Sequence, residues 1–206
     1  MRRTVIVFAR APALGRGKRR LAREVGEVAA WRFQCQGLAR ALARLGSDPR
    51  WRVILAVTPD GAVPRLRGAA RGRARVTAQV MGDLGTRMAR ALAAAPPGPA
   101  LLVGTDVPGL DAPRVWRAFR ALGRADAVFG PASDGGYWLI GLARRRARGL
   151  RLESVRWSSV HALADTLAVL PRGWSVECVD VLDDVDDRAA LARLRRHPSG
   201  VPAGVA

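Results

Sequence analysis

A carboxylate follows a fully apolar segment of this sequence, at a position where α/β proteins bind their ligands. Asp106 lies in Gly104-Thr-Asp-Val-Pro-Gly109, directly after the uninterrupted apolar run at residues 100–103. A carboxylate at the end of a buried strand contributes little to packing, but it can hold a hard divalent cation against phosphate oxygens. Asp106 is therefore a candidate metal ligand, with capping of a turn as the alternative.

The loop after the first apolar segment is rich in glycine and basic residues: Arg10-Ala-Pro-Ala-Leu-Gly-Arg-Gly-Lys-Arg-Arg20. Glycines such as Gly15 let the backbone approach an anion. Four basic residues of the loop can neutralise phosphate charge: Arg10, Arg16, Lys18 and Arg19. Lys18 is the only lysine among 35 basic residues, and an ammonium is not equivalent to a guanidinium at such a site. The loop matches neither the dinucleotide fingerprint nor the P-loop. It is a candidate phosphate-binding loop, with a solvated basic turn as the alternative.

Two further loops carry polar residues after predicted strands. Gln79-Val-Met-Gly-Asp-Leu-Gly85 opens a helix whose N-terminus could bind an anion, although Asp83 could equally cap that helix. Gly130-Pro-Ala-Ser-Asp-Gly-Gly-Tyr-Trp138 lacks the first glycine of a nucleophile elbow, which argues against a serine hydrolase. Its paired glycines suit a ligand-facing turn in which Asp134 acts as a hydrogen-bond acceptor or base. The alternative is a turn that ends in a core aromatic residue, Tyr137.

Acidic residues crowd the end of the last predicted strand, although the whole chain has only 17: Asp180, Asp183, Asp184, Asp186 and Asp187. Like charges this close repel one another unless a cation or arginines lie among them. A second ligand for the metal at Asp106 would explain the crowding. The acidic first turn of a helix would explain Asp186 and Asp187 without a metal. Both explanations stay open.

The apolar pattern predicts a single-domain α/β fold, a three-layer sandwich with a mostly parallel mixed sheet. The predicted domain covers residues 1–197, and residues 198–206 are predicted to be a flexible tail. Asp111 is predicted to cap the helix that follows it. The predicted strands are residues 4–9, 52–58, 75–79, 100–105, 127–130, 137–142 and 175–181. The predicted helices are residues 27–45, 84–95, 112–122, 160–170 and 188–196.

Composition restricts the partners and the compartment. The net charge of +18 invites a nucleic-acid hypothesis, but the arginines are spread along the whole chain, and the basic run at residues 144–148 is predicted to be a solvated segment. No stretch approaches the roughly 18 consecutive apolar residues of a membrane span. Two cysteines give no disulfide framework. These features predict a cytoplasmic protein with no membrane span, and they argue against nucleic acid as a partner.

Taken together, these residues resemble a bacterial family of GT-A-fold glycosyltransferase-like proteins in the nucleotide-diphospho-sugar transferase superfamily. That family is related to the guanylyltransferases for molybdenum cofactor and for 2-phospho-L-lactate. Six ordered motifs that span nearly the whole chain carry the resemblance. They are Phe8-Ala-Arg-Ala-Pro12, Gly15-Arg-Gly-Lys-Arg-Arg-Leu21, Gln79-Val-Met-Gly-Asp-Leu-Gly-Thr-Arg-Met88, Gly104-Thr-Asp-Val-Pro-Gly-Leu110, Gly130-Pro-Ala-Ser-Asp-Gly-Gly-Tyr-Trp-Leu-Ile-Gly141, and Trp157-Ser158 with Asp184-Val-Asp186.

The resemblance implies Mg²⁺ or Mn²⁺ as the cofactor and assigns roles to individual residues. The implied metal ligands are Asp106, the favoured second ligand Asp186, and Asp184. The implied nucleotide-binding residues are Ala9, Arg10, Gly15, Arg16, Lys18, Gln79, Gly82, Asp83 and Thr105. The implied substrate-binding residues are Gly135, Gly136, Tyr137 and Trp157, and the catalytic candidates are Asp134 and Lys18. The last acidic motif departs from the family, because Ala190-Leu191 stands where Asp-Leu is usual and Asp187 replaces a threonine.

The resemblance implies a metal-dependent enzyme that transfers a sugar from a nucleotide-diphospho-sugar to a small acceptor. A nucleotidyltransferase of the guanylyltransferase type, acting on a nucleoside triphosphate and releasing pyrophosphate, is the alternative. An arginine-rich nucleic-acid-binding protein is a distant third hypothesis, since no nucleic-acid-binding motif is present. The sequence does not predict the oligomeric state.

Overall fold

The computed structural model describes residues 2–143 and 150–196. The predicted tail at residues 198–206 and the basic run at residues 144–148 lie outside the described residues. The strands are β1 (Arg3–Arg10), β2 (Trp51–Thr58), β3 (Arg75–Ala78), β4 (Ala100–Val103), β5 (Ala127–Pro131), β6 (Tyr137–Leu142) and β7 (Val176–Cys178). The helices are α1 (Arg19–Val25), α2 (Glu27–Gly46), α3 (Val63–Ala69), α4 (Leu84–Ala93), α5 (Ala112–Ala121), α6 (Ala162–Ala168) and α7 (Arg188–Arg196).

The strands form one mixed sheet in the order β3-β2-β1-β4-β6-β5-β7. β6 is antiparallel to both of its neighbours, and all the other pairs are parallel. The predicted α/β class with a mostly parallel mixed sheet is therefore confirmed. The strand predicted at residues 175–181 is shorter than expected, because only Val176–Cys178 pairs with β5 as a strand.

Alternating side chains of the sheet pack on opposite layers of helix. In β1, Val5 and Val7 belong to the apolar cluster that includes residues of α2, α3 and α5. Ile6 points to the other face and joins a second cluster with α4 and the segment around Leu152. This period of two is the pattern that a pleated strand buried on both faces requires. The predicted three layers are present.

Helix N-caps fix the start of two of these helices. Asp83 accepts a hydrogen bond of 2.7 Å from the backbone N–H of Thr86 and begins α4. Asp111 accepts one of 2.8 Å from the backbone N–H of Arg114 and begins α5, so its predicted capping role is confirmed. Each carboxylate satisfies a backbone donor that the helix itself leaves unpaired.

The carboxyl end of the sheet gathers the loops that carry the candidate site. β1, β2, β3 and β4 run parallel, so the loops that follow them leave from the same end. β6 runs in the opposite direction and therefore starts at that end, at Tyr137. A smaller apolar cluster of α1, α2 and α7, which includes Leu21, Phe33 and Val185, holds the chain after β7 near the first loop. Within the described residues, no helix has the length and apolar character needed to span a membrane.

Candidate active site

Lys18 reaches the centre of the site because the first loop turns sharply just before α1. Gly17 has φ 82° and Lys18 has φ 43°, both in the left-handed region, which a residue with a side chain adopts at some cost. Leu21, one turn into α1, is fully buried and anchors the helix. The Lys18 side chain is only 8% exposed, and its Nζ lies 3.0 Å from Oδ2 of Asp106. The same Nζ also donates a hydrogen bond to Oδ1 of Asp186.

Two opposing effects act on the ammonium of Lys18. Burial alone would lower the pKa of Lys18, but the attraction of Asp106 and Asp186 outweighs burial, so the pKa is raised above its ordinary value. The side chain is therefore a cation held between two carboxylates.

The acidic segment after β7 reaches Asp106 through backbone hydrogen bonds and two apolar anchors. Leu182 and Val185 are both 3% exposed. The N–H of Leu182 donates to the carbonyl of Pro131 at 3.1 Å, and the N–H of Val185 donates to the carbonyl of Asp106 at 3.2 Å. Because the apolar anchors face inward, the intervening Asp184 and the following Asp186 lie beside Asp106.

The other acidic residues of that segment have separate structural roles. Asp180 forms a two-pronged ion pair with Arg117, at 2.8 and 3.1 Å. Asp183 accepts a hydrogen bond of 2.5 Å from the hydroxyl of Ser133. Asp187 accepts one of 2.8 Å from the backbone N–H of Ala190 in the first turn of α7. The helix explanation therefore accounts for Asp187 but not for Asp186, which pairs with Lys18.

The pKa values of Asp184 and Asp186 are shifted in opposite directions. Partial burial, together with the nearby carboxylates of Asp186 and Asp134, raises the pKa of Asp184, and Lys18 offsets this only in part. Burial would also raise the pKa of Asp186, but its contact with Lys18 lowers that pKa below the ordinary value. The two carboxylates are therefore not equivalent, because only Asp186 has its charged form favoured by a direct contact with Lys18.

The residues fit a divalent cation that takes part of its coordination from a substrate. Oxygens of Asp106 and Asp186 converge on one ammonium and so can converge on one metal ion. Among residues 2–143 and 150–196 there is no group of three or more His, Cys, Asp or Glu side chains that could hold a metal. Mg²⁺ is commonly bound by one or two carboxylates together with phosphate oxygens and water. Lys18 would have to withdraw, since an ammonium and a divalent cation repel each other.

A cavity of about 290 Å³ opens beside this charged centre. Its lining includes the carboxylates Asp106, Asp134 and Asp184 and the aromatic residues Tyr137 and Trp157. The size suits a small-molecule ligand, and the mixture of apolar walls and a few polar groups is typical of such sites.

The turn after β5 is locked against the segment that precedes α6. Gly135 has φ 83°, and a Cβ at this position would lie 2.1 Å from the carbonyl oxygen of Val160. The N–H of Leu163 donates to the carbonyl of Gly135 at 2.9 Å. The N–H of Gly136 donates to Oδ1 of Asp134 at 2.9 Å. These contacts place Asp134 and the start of β6 at the cavity with little freedom to move.

Comparison with known proteins identifies the family of this chain. Residues 41–159, more than half of the chain, match a protein family described as "Uncharacterized protein conserved in bacteria (DUF2064)". The chain belongs to the DUF2064 family. In sequence, no curated protein matches this DUF2064 chain significantly.

Solved structures share the fold of the DUF2064 chain over nearly its full length. One, from Desulfovibrio desulfuricans G20, is provisionally described as a nucleotide-diphospho-sugar transferase; it is 26% identical, with a TM-score of 0.81, over 98% of this chain and 90% of that one. The inositol-1-phosphate CTP transferase from T. maritima is 16% identical, with a TM-score of 0.64, over 100% and 98%. A protein from Mycobacterium tuberculosis H37Rv in complex with manganese is 18% identical, with a TM-score of 0.57, over 96% and 100%. The predicted GT-A-like family is confirmed, and the first two neighbours are named as transferases, in agreement with the predicted enzyme class.

The predicted nucleotide-binding residues of the DUF2064 chain divide into two groups. Arg10 and Thr105 line the cavity with Asp106, and Lys18 reaches the same centre. Gly15 and Arg16 line a separate groove of about 340 Å³ between the first loop and α2. The structure therefore does not bring Arg16 to the metal candidates.

Three other predicted residues have structural roles at the carboxyl end. The amide of Gln79, which is 4% exposed, donates to the carbonyls of Ala9 and Ala56, both at 3.0 Å. The side-chain oxygen of Gln79 accepts a hydrogen bond of 2.8 Å from Arg87. Gln79 therefore clamps strands together, while Gly82 and Asp83 form the start of α4 outside the cavity lining.

Several cavity residues of the DUF2064 chain are not identified by the sequence analysis. Phe8 and Met88 line the cavity, but as apolar residues of a strand and a helix they cannot be distinguished from core residues in a sequence. Ser158 also lines it and has φ 58°, a left-handed conformation that has no signal in the residue type. The indication in the sequence is its place in the Trp157-Ser158 motif of the resemblance.

Proposed function

We propose that the protein transfers a sugar from a nucleotide-diphospho-sugar to a small acceptor, with Mg²⁺ or Mn²⁺ bound by Asp106 and Asp186. The observation that carries the proposal is the convergence of these two carboxylates on Lys18 at the edge of the cavity. This arrangement can hold a diphosphate at the carboxyl end of the sheet and place its sugar over the cavity. A bound metal ion would neutralise charge on the diphosphate oxygens.

The cations of the first loop have a direct role in this proposal. Lys18 lies between the acidic centre and the loop, so a small movement would let its ammonium donate to a phosphate oxygen. Arg10 lines the cavity and can approach the same diphosphate. Positive groups aimed at the leaving diphosphate stabilise the negative charge that builds up as the bond to the sugar breaks.

Asp134 is the proposed base. Its Oδ1 is held by the N–H of Gly136 at 2.9 Å, and its carboxylate lines the cavity. A base in a fixed position can take the proton of an acceptor hydroxyl as that oxygen attacks the sugar. Tyr137 and Trp157 form the wall against which the acceptor would bind.

Nucleotidyl transfer is a second candidate, because neighbours of the same fold include the inositol-1-phosphate CTP transferase and a 4-diphosphocytidyl-2C-methyl-D-erythritol synthase. The same centre would then bind a nucleoside triphosphate, the bond between the α- and β-phosphates would break, and pyrophosphate would leave.

We also propose a cytoplasmic location, since the described cysteines Cys35 and Cys178 are free thiols, as is usual in a reducing compartment.

The proposal is tested with Asp106→Asn and a matched control, Asp60→Asn, at an exposed position outside the cavity lining. The purified proteins are incubated with Mn²⁺ and a panel of nucleotide-sugars and nucleoside triphosphates, and the products are identified by mass spectrometry. We expect release of a nucleoside diphosphate by the wild type and by Asp60→Asn, and its loss in Asp106→Asn with an unchanged circular dichroism spectrum. Wild-type turnover in Asp106→Asn would refute the metal assignment. Release of pyrophosphate instead would favour nucleotidyl transfer.

A further inference from the structure

We propose that the acceptor is a neutral or positively charged molecule with an apolar, ring-bearing portion, and that the cavity discriminates against phosphate esters. This inference rests on the proposed function, because it assigns a chemical class to the acceptor of that reaction. It is argued from two groups of residues that line the cavity, the aromatic and apolar side chains (the aromatic half) and the carboxylates (the acidic half).

The aromatic half is a preformed apolar surface. The rings of Tyr137 and Trp157 meet edge to face with their centres 6.2 Å apart, and Phe129 supports Tyr137 from behind at 5.3 Å. The hydroxyl of Tyr137 is held by Thr166 at 3.4 Å. Leu102 and Met88, both nearly buried, continue this surface. Because these side chains support one another, a flat apolar group can bury its surface against them without reorganising the wall.

The acidic half disfavours an anion. Of the described residues that line the cavity, three are carboxylates and one, Arg10, is a cation. Asp106 is already paired with Lys18. A metal ion between Asp106 and Asp186 would face the donor's phosphates, whereas Asp134 and Asp184 would still face the acceptor. A phosphate ester in the cavity would therefore meet like charge, which is an effective means of rejecting a ligand.

The wall also offers hydrogen bonds that suit a neutral acceptor. Ser158, held at φ 58°, presents a hydroxyl to the same cavity. An acceptor oxygen or nitrogen could pair with this hydroxyl and lie close to Asp134.

The transfer balances with such an acceptor. The acceptor oxygen or nitrogen forms a bond to the anomeric carbon of the sugar, and the bond from that carbon to the diphosphate oxygen breaks. The nucleoside diphosphate leaves with the electron pair, and the acceptor's proton passes to Asp134. A neutral hydroxyl or an unprotonated amine supplies everything that the step needs.

The test uses the single tyrosine of the chain. Tyr137 lines the cavity, so protein grown with ring-¹³C-labelled tyrosine gives one residue's signals that report binding there. Benzyl alcohol, benzylamine and benzyl phosphate, which share a ring and differ in charge, are titrated in the absence of any donor. We expect the alcohol and the amine to move the Tyr137 signals and the phosphate to bind at least about tenfold more weakly.

Two variants distinguish the contribution of charge to probe binding from the contribution of packing. Asp134→Asn should reduce the discrimination against benzyl phosphate at least about threefold, whereas the exposed control Asp60→Asn should leave it unchanged. Trp157→Leu should weaken all three probes alike, because it removes the ring surface but no charge. The inference is overturned if the phosphate binds as tightly as the alcohol, if Asp134→Asn leaves the discrimination intact, or if no probe moves the signals. Since no donor is present, each of these outcomes leaves the test of sugar transfer independent.

Discussion

Lys18 combines a left-handed backbone conformation with a nearly buried charge. Its backbone is left-handed at φ 43°, and its ammonium is nearly buried between Asp106 and Asp186. The single lysine of an arginine-rich chain is thus at the centre of the candidate metal site. A planar guanidinium could not replace the compact ammonium between two converging carboxylates without moving them apart. The sequence identified the residue but not its contact with Asp186.

Replacing the Lys18 ammonium by an amide should make Mn²⁺ bind more tightly when no nucleotide is present. In Lys18→Gln the two carboxylates lose their internal cation, so a metal ion no longer has to displace it. We expect a gain in Mn²⁺ affinity of at least about tenfold, or about 1.4 kcal/mol. The measurement is the free Mn²⁺ signal in electron paramagnetic resonance during a titration.

Arg19→Gln is the matched control, because it removes one positive charge from the neighbouring exposed position, the first residue of α1. Its Mn²⁺ affinity should stay within about twofold of the wild type, since an exposed charge is screened by solvent. An unchanged or weaker affinity in Lys18→Gln would show that the two carboxylates do not form the metal site. Lys18→Gln should also lose affinity for the nucleotide that the wild type binds, because it lacks a phosphate donor.

At the scale of elements, periodicity predicts the strands and the long helices well and the short helices unevenly. All seven strands and five helices were predicted from apolar spacing and capping residues, and Asp111 caps α5 as expected. The helices α1 and α3, with 7 residues each, were missed, whereas the equally short α6 was predicted. In a segment of about two turns, the apolar pattern is too short to distinguish every helix from a loop.

The position of the site is likewise predictable only in part. That the loops after β1, β4 and β5 meet at one end follows from a parallel sheet, so Asp106 and Asp134 could be brought together by sequence alone. Which side of the first loop each cation faces could not be predicted, because a turn of the backbone at Gly17 decides it. This turn sends Lys18 to the acidic centre and Arg16 to a separate groove.

α2 positions the Asp106 loop through a close backbone approach at Gly37. A Cβ at Gly37 would lie 2.7 Å from the carbonyl oxygen of Thr105, the residue before Asp106. Gly37→Ala should therefore displace the loop or the helix. We expect it to be about 1–3 kcal/mol less stable than Gly68→Ala in urea unfolding, and we expect its Mn²⁺ affinity to fall.

Gly68→Ala is the matched control for this substitution. Gly68 lies in α3, and nothing lies within 4 Å of an added Cβ there. The substitution should have only the helix-propensity effect, a gain of up to about 1 kcal/mol, and Mn²⁺ binding should stay unchanged. Equal stabilities and affinities for the two variants would mean that the contact between α2 and the Asp106 loop does not position the site.

The charge of the whole molecule is unbalanced, with 35 basic and 17 acidic residues. Many of the described acidic side chains already have a basic partner, as in the pairs of Arg117 with Asp180 and Arg124 with Glu177. The surplus arginines therefore have few carboxylates left to pair with. Because they are spread along the sequence, they raise the overall potential of the surface.

Because the surplus arginines repel one another, we expect the protein to become more stable as the ionic strength rises. Salt shortens the Debye length and weakens repulsion among the surplus arginines, and it weakens the fewer attractive pairs by a similar mechanism. With an excess of one sign, the relief of repulsion is the larger effect, and a gain of about 1 kcal/mol corresponds to about 2–4 °C in Tm for a domain of this size. The expected result is a Tm that rises between about 0.05 M and about 0.5 M NaCl in differential scanning fluorimetry. KCl at the same ionic strength should give the same shift if screening is the cause, whereas a Tm that falls in both salts would mean that the surface ion pairs outweigh the surplus charge.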